Sequence, residues 1–153
     1  MKTGSNIYRQ QDARRRGSVY ILVLGASLIV ATIGISALMA ARVQRRAVVI
    51  TADMTQAREN ARVAIDRALW DIKVNPSSWR SSLAGGSYSS GTLGGGTLSL
   101  TAVDPVDGNL TNNNTDPVVL TGTGNVGQAT YILEVTLNPD GTINPGTWKR
   151  VVN

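Results

Sequence analysis

Residues 18–41 carry no charge, and Arg14-Arg15-Arg16-Gly17 stands directly before them. An apolar run longer than about 18 residues is a candidate membrane span. At about 1.5 Å per residue, a helix over residues 18–41 reaches roughly 36 Å, enough to cross a hydrocarbon core of about 30 Å with some tilt. The chain is therefore expected to work from a membrane anchor, with residues from Arg42 onward left to fold in water. The run is too long for a secretory signal core of about 7–15 residues, and residues 37–41 offer no clean small-residue cleavage site.

Charge supports this division. The chain holds 15 Lys and Arg against 10 Asp and Glu, yet only Lys149 and Arg150 of the basic residues lie beyond residue 80. Lys2, Arg9 and Arg14–Arg16 precede the run, and Arg42, Arg45 and Arg46 follow it. Basic residues flanking a span set topology, and they are read here in that role and not as a nucleic-acid surface. Residues 1–17 show no apolar periodicity and read as a disordered basic leader on the cytoplasmic side.

Gly25, Ser27, Ala31 and Gly34 are the small residues of the span, taken as one face against which a neighbouring helix can pack in lipid. Beyond the Arg collar, Ile50, Met54, Ala57, Ala61, Ile65, Ala68 and Ile72 recur every three or four residues. That spacing makes one apolar stripe on a helix covering residues 42–74. Asp53, Arg58, Glu59, Arg62, Asp66, Arg67 and Asp71 fill the other face. Pairs Glu59/Arg62 and Arg62/Asp66 add weak support, about 0.2–0.5 kcal/mol each. Asn75-Pro76 ends the helix. An Ala-rich stripe gains little alone and calls for a partner surface.

Residues 75–153 read as a Gly/Ser-rich loop followed by an antiparallel sheet. Residues 81–96 look like a flexible loop with a short edge strand near 87–93. Leu98, Leu100 and Ala102 alternate with Thr97, Ser99 and Thr101 in a half-buried strand at 96–103. Further strands are expected at 118–123 and 129–137, with a turn at 124–127, and a short one at 147–152. Helix and strands together predict an α+β fold: a long N-terminal helix, half transmembrane and half amphipathic, packed on a small antiparallel sheet.

The chain has no Cys and no His, so thiolate chemistry and the commonest general base and metal ligand are missing. The Gly-rich segments lack the Lys-Ser/Thr of a phosphate loop. The acidic residues sit in apparent turns or on the polar helix face, and no catalytic constellation emerges; the expectation is a structural protein without a cofactor and not an enzyme. Asp104, Asp107, Asn109 and Asp116, with Asn112 and Asn114, offer oxygen ligands for a Ca²⁺ ion, although their spacing is not that of an EF-hand. The plainer reading is a turn-rich loop.

A basic leader, Gly17, a span that starts at once, a helix running out of it and a small C-terminal sheet resemble the type IV pilin and type II secretion pseudopilin family. The resemblance implies cleavage by a prepilin peptidase between Gly17 and Ser18, methylation of the new N-terminus, and a pilin-like fold. It also implies a single-pass protein of the inner membrane, with leader cytoplasmic and C-terminal domain periplasmic. From there the subunit is extracted into a filament by an inner-membrane assembly platform, with other pilin or pseudopilin subunits as partners. Two positions depart from the family pattern. Ser18 stands where Phe or Met is usual, and Leu22 replaces the glutamate that meets a neighbour's N-terminal amine. A carboxylate in lipid costs about 2.5–3.5 kcal/mol on insertion scales and is kept only with a partner. Its loss resembles the K-type minor pseudopilins at a filament tip, although this chain lacks room for their inserted helical domain. The expected function is thus a minor subunit of a secretion pseudopilus or type IV pilus. The alternative is an uncleaved single-pass protein whose extracytoplasmic β-rich domain binds a ligand or partner.

Overall fold

A computed structural model describes residues 5–84, 88–112 and 114–152. Helix α1 runs from Ser5 to Val74, and a short α2 follows at Trp79–Leu83. Five strands complete the chain: β1 Tyr88–Leu93, β2 Gly96–Val103, β3 Val118–Val126, β4 Ala129–Leu137 and β5 Lys149–Val151. They form one antiparallel sheet in the order β1-β2-β3-β4-β5. The chain is thus α+β, a long N-terminal helix packed on a small antiparallel sheet.

The chain divides into two units, Met1–Ala47 and Val48–Asn153, and α1 contributes to both. In the first, α1 is long and apolar enough to span a membrane. Side chains from Ser18 to Ala47 are exposed throughout. The helix begins at Ser5, so residues 5–17 of the expected disordered leader are helical instead; Met1–Gly4 lie outside the described residues. Residues 5–16 contain neither Gly nor Pro, and adding a turn to an existing helix needs no new nucleus.

In the second unit the expected stripe meets the sheet. Ala57, Ala61, Ala64, Ile65, Ala68 and Ile72 are buried, while Met54 is half-buried and Ile50 is exposed. Opposite them lie Leu98, Leu100 and Ala102 of β2, Val118 and Leu120 of β3, and Val135 and Leu137 of β4. Of the two ion pairs expected on the polar face, Arg62–Asp66 closes at 3.8 Å. Both of its side chains are exposed, so it adds little.

The approach is closest over β3. Gly122 and Gly124 point at the helix, where a Cβ on Gly124 would fall on the Ala57 carbonyl and 2.7 Å from the Ala61 nitrogen. A Cβ on Gly122 would likewise strike the Ala61 carbonyl and come 2.9 Å from Ile65 Cγ1. Glycine in a strand marks such a close backbone approach. This corrects the expected strand end: β3 continues through Gly124 to Val126, and the turn to β4 is Gly127-Gln128.

The sheet's first hairpin is also tied to the helix. Gly94 and Gly95, at φ 58° and 77°, supply the two left-handed positions of a tight turn between β1 and β2. Fully buried Asn60 donates its Nδ2 to the Leu93 carbonyl at 3.1 Å and accepts Gln56 Nε2 at 3.0 Å. Helix α2 occupies the start of the stretch expected as a loop, because Trp79 and Leu83, one turn apart, are both buried. Residues 85–87, also part of that expected loop, lie outside the described residues.

Two substitutions test this packing. Gly124→Val should destabilise the second unit by about 3 kcal/mol, at the upper end of overpacking costs, because the obstacle is helix backbone and not a movable side chain. Asn60→Ala should cost about 1–3 kcal/mol by leaving the Leu93 carbonyl without its donor. Urea titration of the full chain in detergent, followed by near-ultraviolet circular dichroism, reads both. A native midpoint for Gly124→Val would mean that α1 does not lie on β3 as described.

Candidate functional site

Helix α1 fixes the directions of the N-terminal residues singled out in the sequence. Gly17 and Ser18 are consecutive helical residues, and Ser18 is exposed. Leu22 is 71 % exposed. A Cβ built on Gly25 or Gly34 meets nothing within 4 Å. At about 100° per residue, Ser27, Ala31 and Gly34 fall within about 60° of one another, whereas Gly25 lies about 120–180° away from all three. The small-residue face therefore consists of three of the four expected residues, and Gly25 belongs to the opposite side.

Three hydroxyls in this stretch bond back to their own helix. Ser27 Oγ donates to the Val23 carbonyl, Thr32 Oγ1 to that of Ile29 and Ser36 Oγ to that of Thr32, each at 2.8 Å. Such back-bonding is what polar groups would need if this stretch faced hydrocarbon.

The candidate cation ligands lie in the loop between β2 and β3, where local turns occupy several of their oxygens, although Asp104 Oδ2 has no partner among the described residues. Asp104 Oδ1 accepts Val106 N at 2.8 Å, and Asp107 Oδ1 accepts Asn109 N at 2.9 Å. Asn112 Nδ2 donates to Asp107 Oδ2, and Asn109 Oδ1 takes both Thr111 N and Thr111 Oγ1. The Asp116 carbonyl accepts Arg80 Nη2, and Asp116 Oδ1 accepts Thr115 Oγ1 at 3.4 Å. Among the described residues no three acidic groups converge as metal ligands. The Asn109 amide and the Asn112 side chain hold the Asp107 carboxyl below its ordinary pKa of 3.8. The hydroxyl and amide of Thr142 lower that of Asp140 in the same way.

The sheet end carrying this loop holds a polar cavity of about 510 Å³. Its walls come from the α1–α2 connection and α2 (Ser77, Arg80, Ser81), from the β2–β3 loop (Thr111, Asn114) and from the turn after β4 (Asp140). Arg80 is only 6 % exposed, and its guanidinium lies 4.9 Å from the Trp79 ring centroid. A second groove of about 460 Å³ opens beside α1, lined by Ile50, Met54, Arg58, Tyr131 and Arg150. There the Arg150 guanidinium sits 5.0 Å from the Tyr131 ring centroid.

Asn60 and Arg80 escaped the sequence reading. Asn60 interrupts the Ala stripe between Ala57 and Ala61, which is a usable signal for a buried polar clamp. Arg80 had none, because only its neighbours Trp79 and Leu83 draw it inward. Comparison with protein families, curated proteins and solved structures returns no match for this chain.

Both lowered carboxyls contribute stability that is fully present above their ordinary pKa of 3.8 and is lost as pH falls through the lower folded-state value. The thermal midpoint should therefore fall as the solution is acidified below about pH 4. Asp107→Asn and Asp140→Asn should each flatten that fall, read by circular dichroism melts across an acid series; an unchanged profile in both would remove these turns from the acid response.

Proposed function

We propose that the chain is a minor pilin-like structural subunit, cut between Gly17 and Ser18 by a prepilin peptidase and methylated at the new N-terminus. Residues 18–41 hold it in the inner membrane, leader on the cytoplasmic side and sheet domain in the periplasm. An inner-membrane platform then assembles it with other pilin or pseudopilin subunits, at the tip or initiation complex of a type II secretion pseudopilus or type IV pilus.

The observation that carries this reading is the two-part character of α1. One helix bears an exposed apolar run and then a buried Ala stripe packed on the sheet. An ordinary anchor needs no such continuity, since a flexible linker would tether a domain equally well. The uncharged, exposed Leu22 supports a minor position: without a carboxylate there is no counter-charge for a neighbour's N-terminal amine. The Ser27, Ala31 and Gly34 side supports close packing against another helix in lipid.

Co-expression with the cognate prepilin peptidase and intact-mass measurement tests the assignment. The mature mass should begin at Ser18 with one added methyl group, and Gly17→Val should leave the leader in place. An N-terminus still at Met1 in the native chain would favour the alternative of an uncleaved, membrane-anchored ligand-binding protein, for which the Arg80 cavity is the supporting observation.

A further inference from the structure

The wall of the cavity at the loop end of the sheet includes Arg80, a cation in no ion pair among the described residues. Arg80 Nη2 donates to the Asp116 carbonyl, but Nη1 is buried and meets no acceptor among the described residues. A buried guanidinium held by one carbonyl and an aromatic face is incompletely compensated, and uncompensated buried charge is costly. A flat carboxylate matches the guanidinium fork better than any neutral acceptor.

The rest of the wall narrows the ligand. Ser81 Oγ donates to the Ser78 carbonyl at 2.7 Å and Thr111 Oγ1 to Asn109 Oδ1 at 2.9 Å. Their hydrogens are committed, so both oxygens remain as acceptors for hydroxyl groups. Asn114 adds an amide that can both donate and accept. Asp140 stands on the same wall, and its hydrogen bonds from Thr142 keep it ionised. One cation and one nearby anion favour a singly charged ligand over a dianion such as sulfate.

We propose that this cavity binds a hydroxylated monocarboxylate of the sugar-acid class, its carboxylate seated on Arg80 and its hydroxyls on Ser81, Thr111 and Asn114. The size fits one such unit, since small-molecule sites occupy about 300–1,000 Å³. A free sugar acid and a terminal residue of an acidic polysaccharide share this chemistry. The site is independent of whether Gly17 is cleaved. Asp104, 1 % exposed, is the other buried charged side chain, and its Oδ2 has no partner among the described residues.

The test titrates the full chain in detergent micelles with glucuronate, glucose, sulfate and an oligogalacturonate. Emission of Trp79 is read in a Trp70→Phe, Trp148→Phe background, with calorimetry as the second readout. Glucuronate should saturate at about 1 mM or below, with glucose and sulfate at least about tenfold weaker. Stronger binding of the oligomer than of glucuronate identifies the polysaccharide as the source; equal binding per chain end identifies the free acid. Arg80→Gln should abolish binding. Asp140→Asn, which keeps the oxygen that Thr142 needs, should tighten glucuronate about threefold and admit sulfate. The proposal is overturned if glucose binds as well as glucuronate, or if Asp140→Asn changes neither affinity. It is equally overturned if no ligand binds while Arg80→Gln and Asp104→Asn destabilise the chain alike, since the two groups then serve each other.

Discussion

The sheet domain depends on a close approach between two backbones. The Ala57 and Ala61 carbonyls of α1 lie where side chains at Gly124 and Gly122 would otherwise stand. Small residues on one surface are of little use against bulky ones on the other, so the Ala stripe and the Gly face of β3 require each other. Dispersion attraction falls off steeply with separation, and a contact this near gains from backbone atoms as well as side chains. The larger apolar residues then fill the widening space beyond it: Ile65 and Ile72 from the helix, Leu100, Leu120 and Leu137 from the strands.

That contact sets the position of the rest of the second unit. Close to it, Asn60 engages the Leu93 carbonyl at the β1–β2 turn, and Gln56 lies against Gly94. At the other end, Gly141 in the turn after β4 approaches Ile72 and Trp79. Trp79 and Leu83 secure α2 there, and Arg80, between them, is carried into the interior with its charge. A guanidinium is tolerated in that place because the Asp116 carbonyl and the Trp79 ring surround it. The polar cavity is thus a consequence of how α2 is anchored, and it gathers residues from three segments far apart in the chain.

The first unit follows different physics. Its side chains from Ser18 to Ala47 are exposed, and the hydroxyls of Ser27, Thr32 and Ser36 bond back to their own helix. An exposed apolar helix is stable where lipid supplies the apolar surroundings, and this one is long and apolar enough to span a membrane. The absence of a carboxylate at Leu22 matters in that setting, because any charge placed there would need a counter-charge from another molecule.

Much of this architecture was legible in the primary structure. Apolar spacing of three and four placed the stripe from Ala57 to Ile72, and alternation placed Leu98, Leu100 and Ala102 on the inward face, because helix and strand periods are local properties. The apolar run long enough for a span, the Asn75-Pro76 stop and the loop character of residues 104–117 were equally local. The exclusion of Gly25 from the small-residue side follows from helical geometry alone and is local too. Two outcomes were not. β3 runs on through Gly124, where a turn was expected, since glycine serves both roles and only the facing helix distinguishes them. The burial of Arg80 depended on neighbours that reach it only after folding. Sequence alone thus determined the elements and their apolar faces through short-range periodicity. Tertiary structure decided how closely those faces meet and which polar groups are enclosed, because those depend on residues brought together from distant parts of the chain.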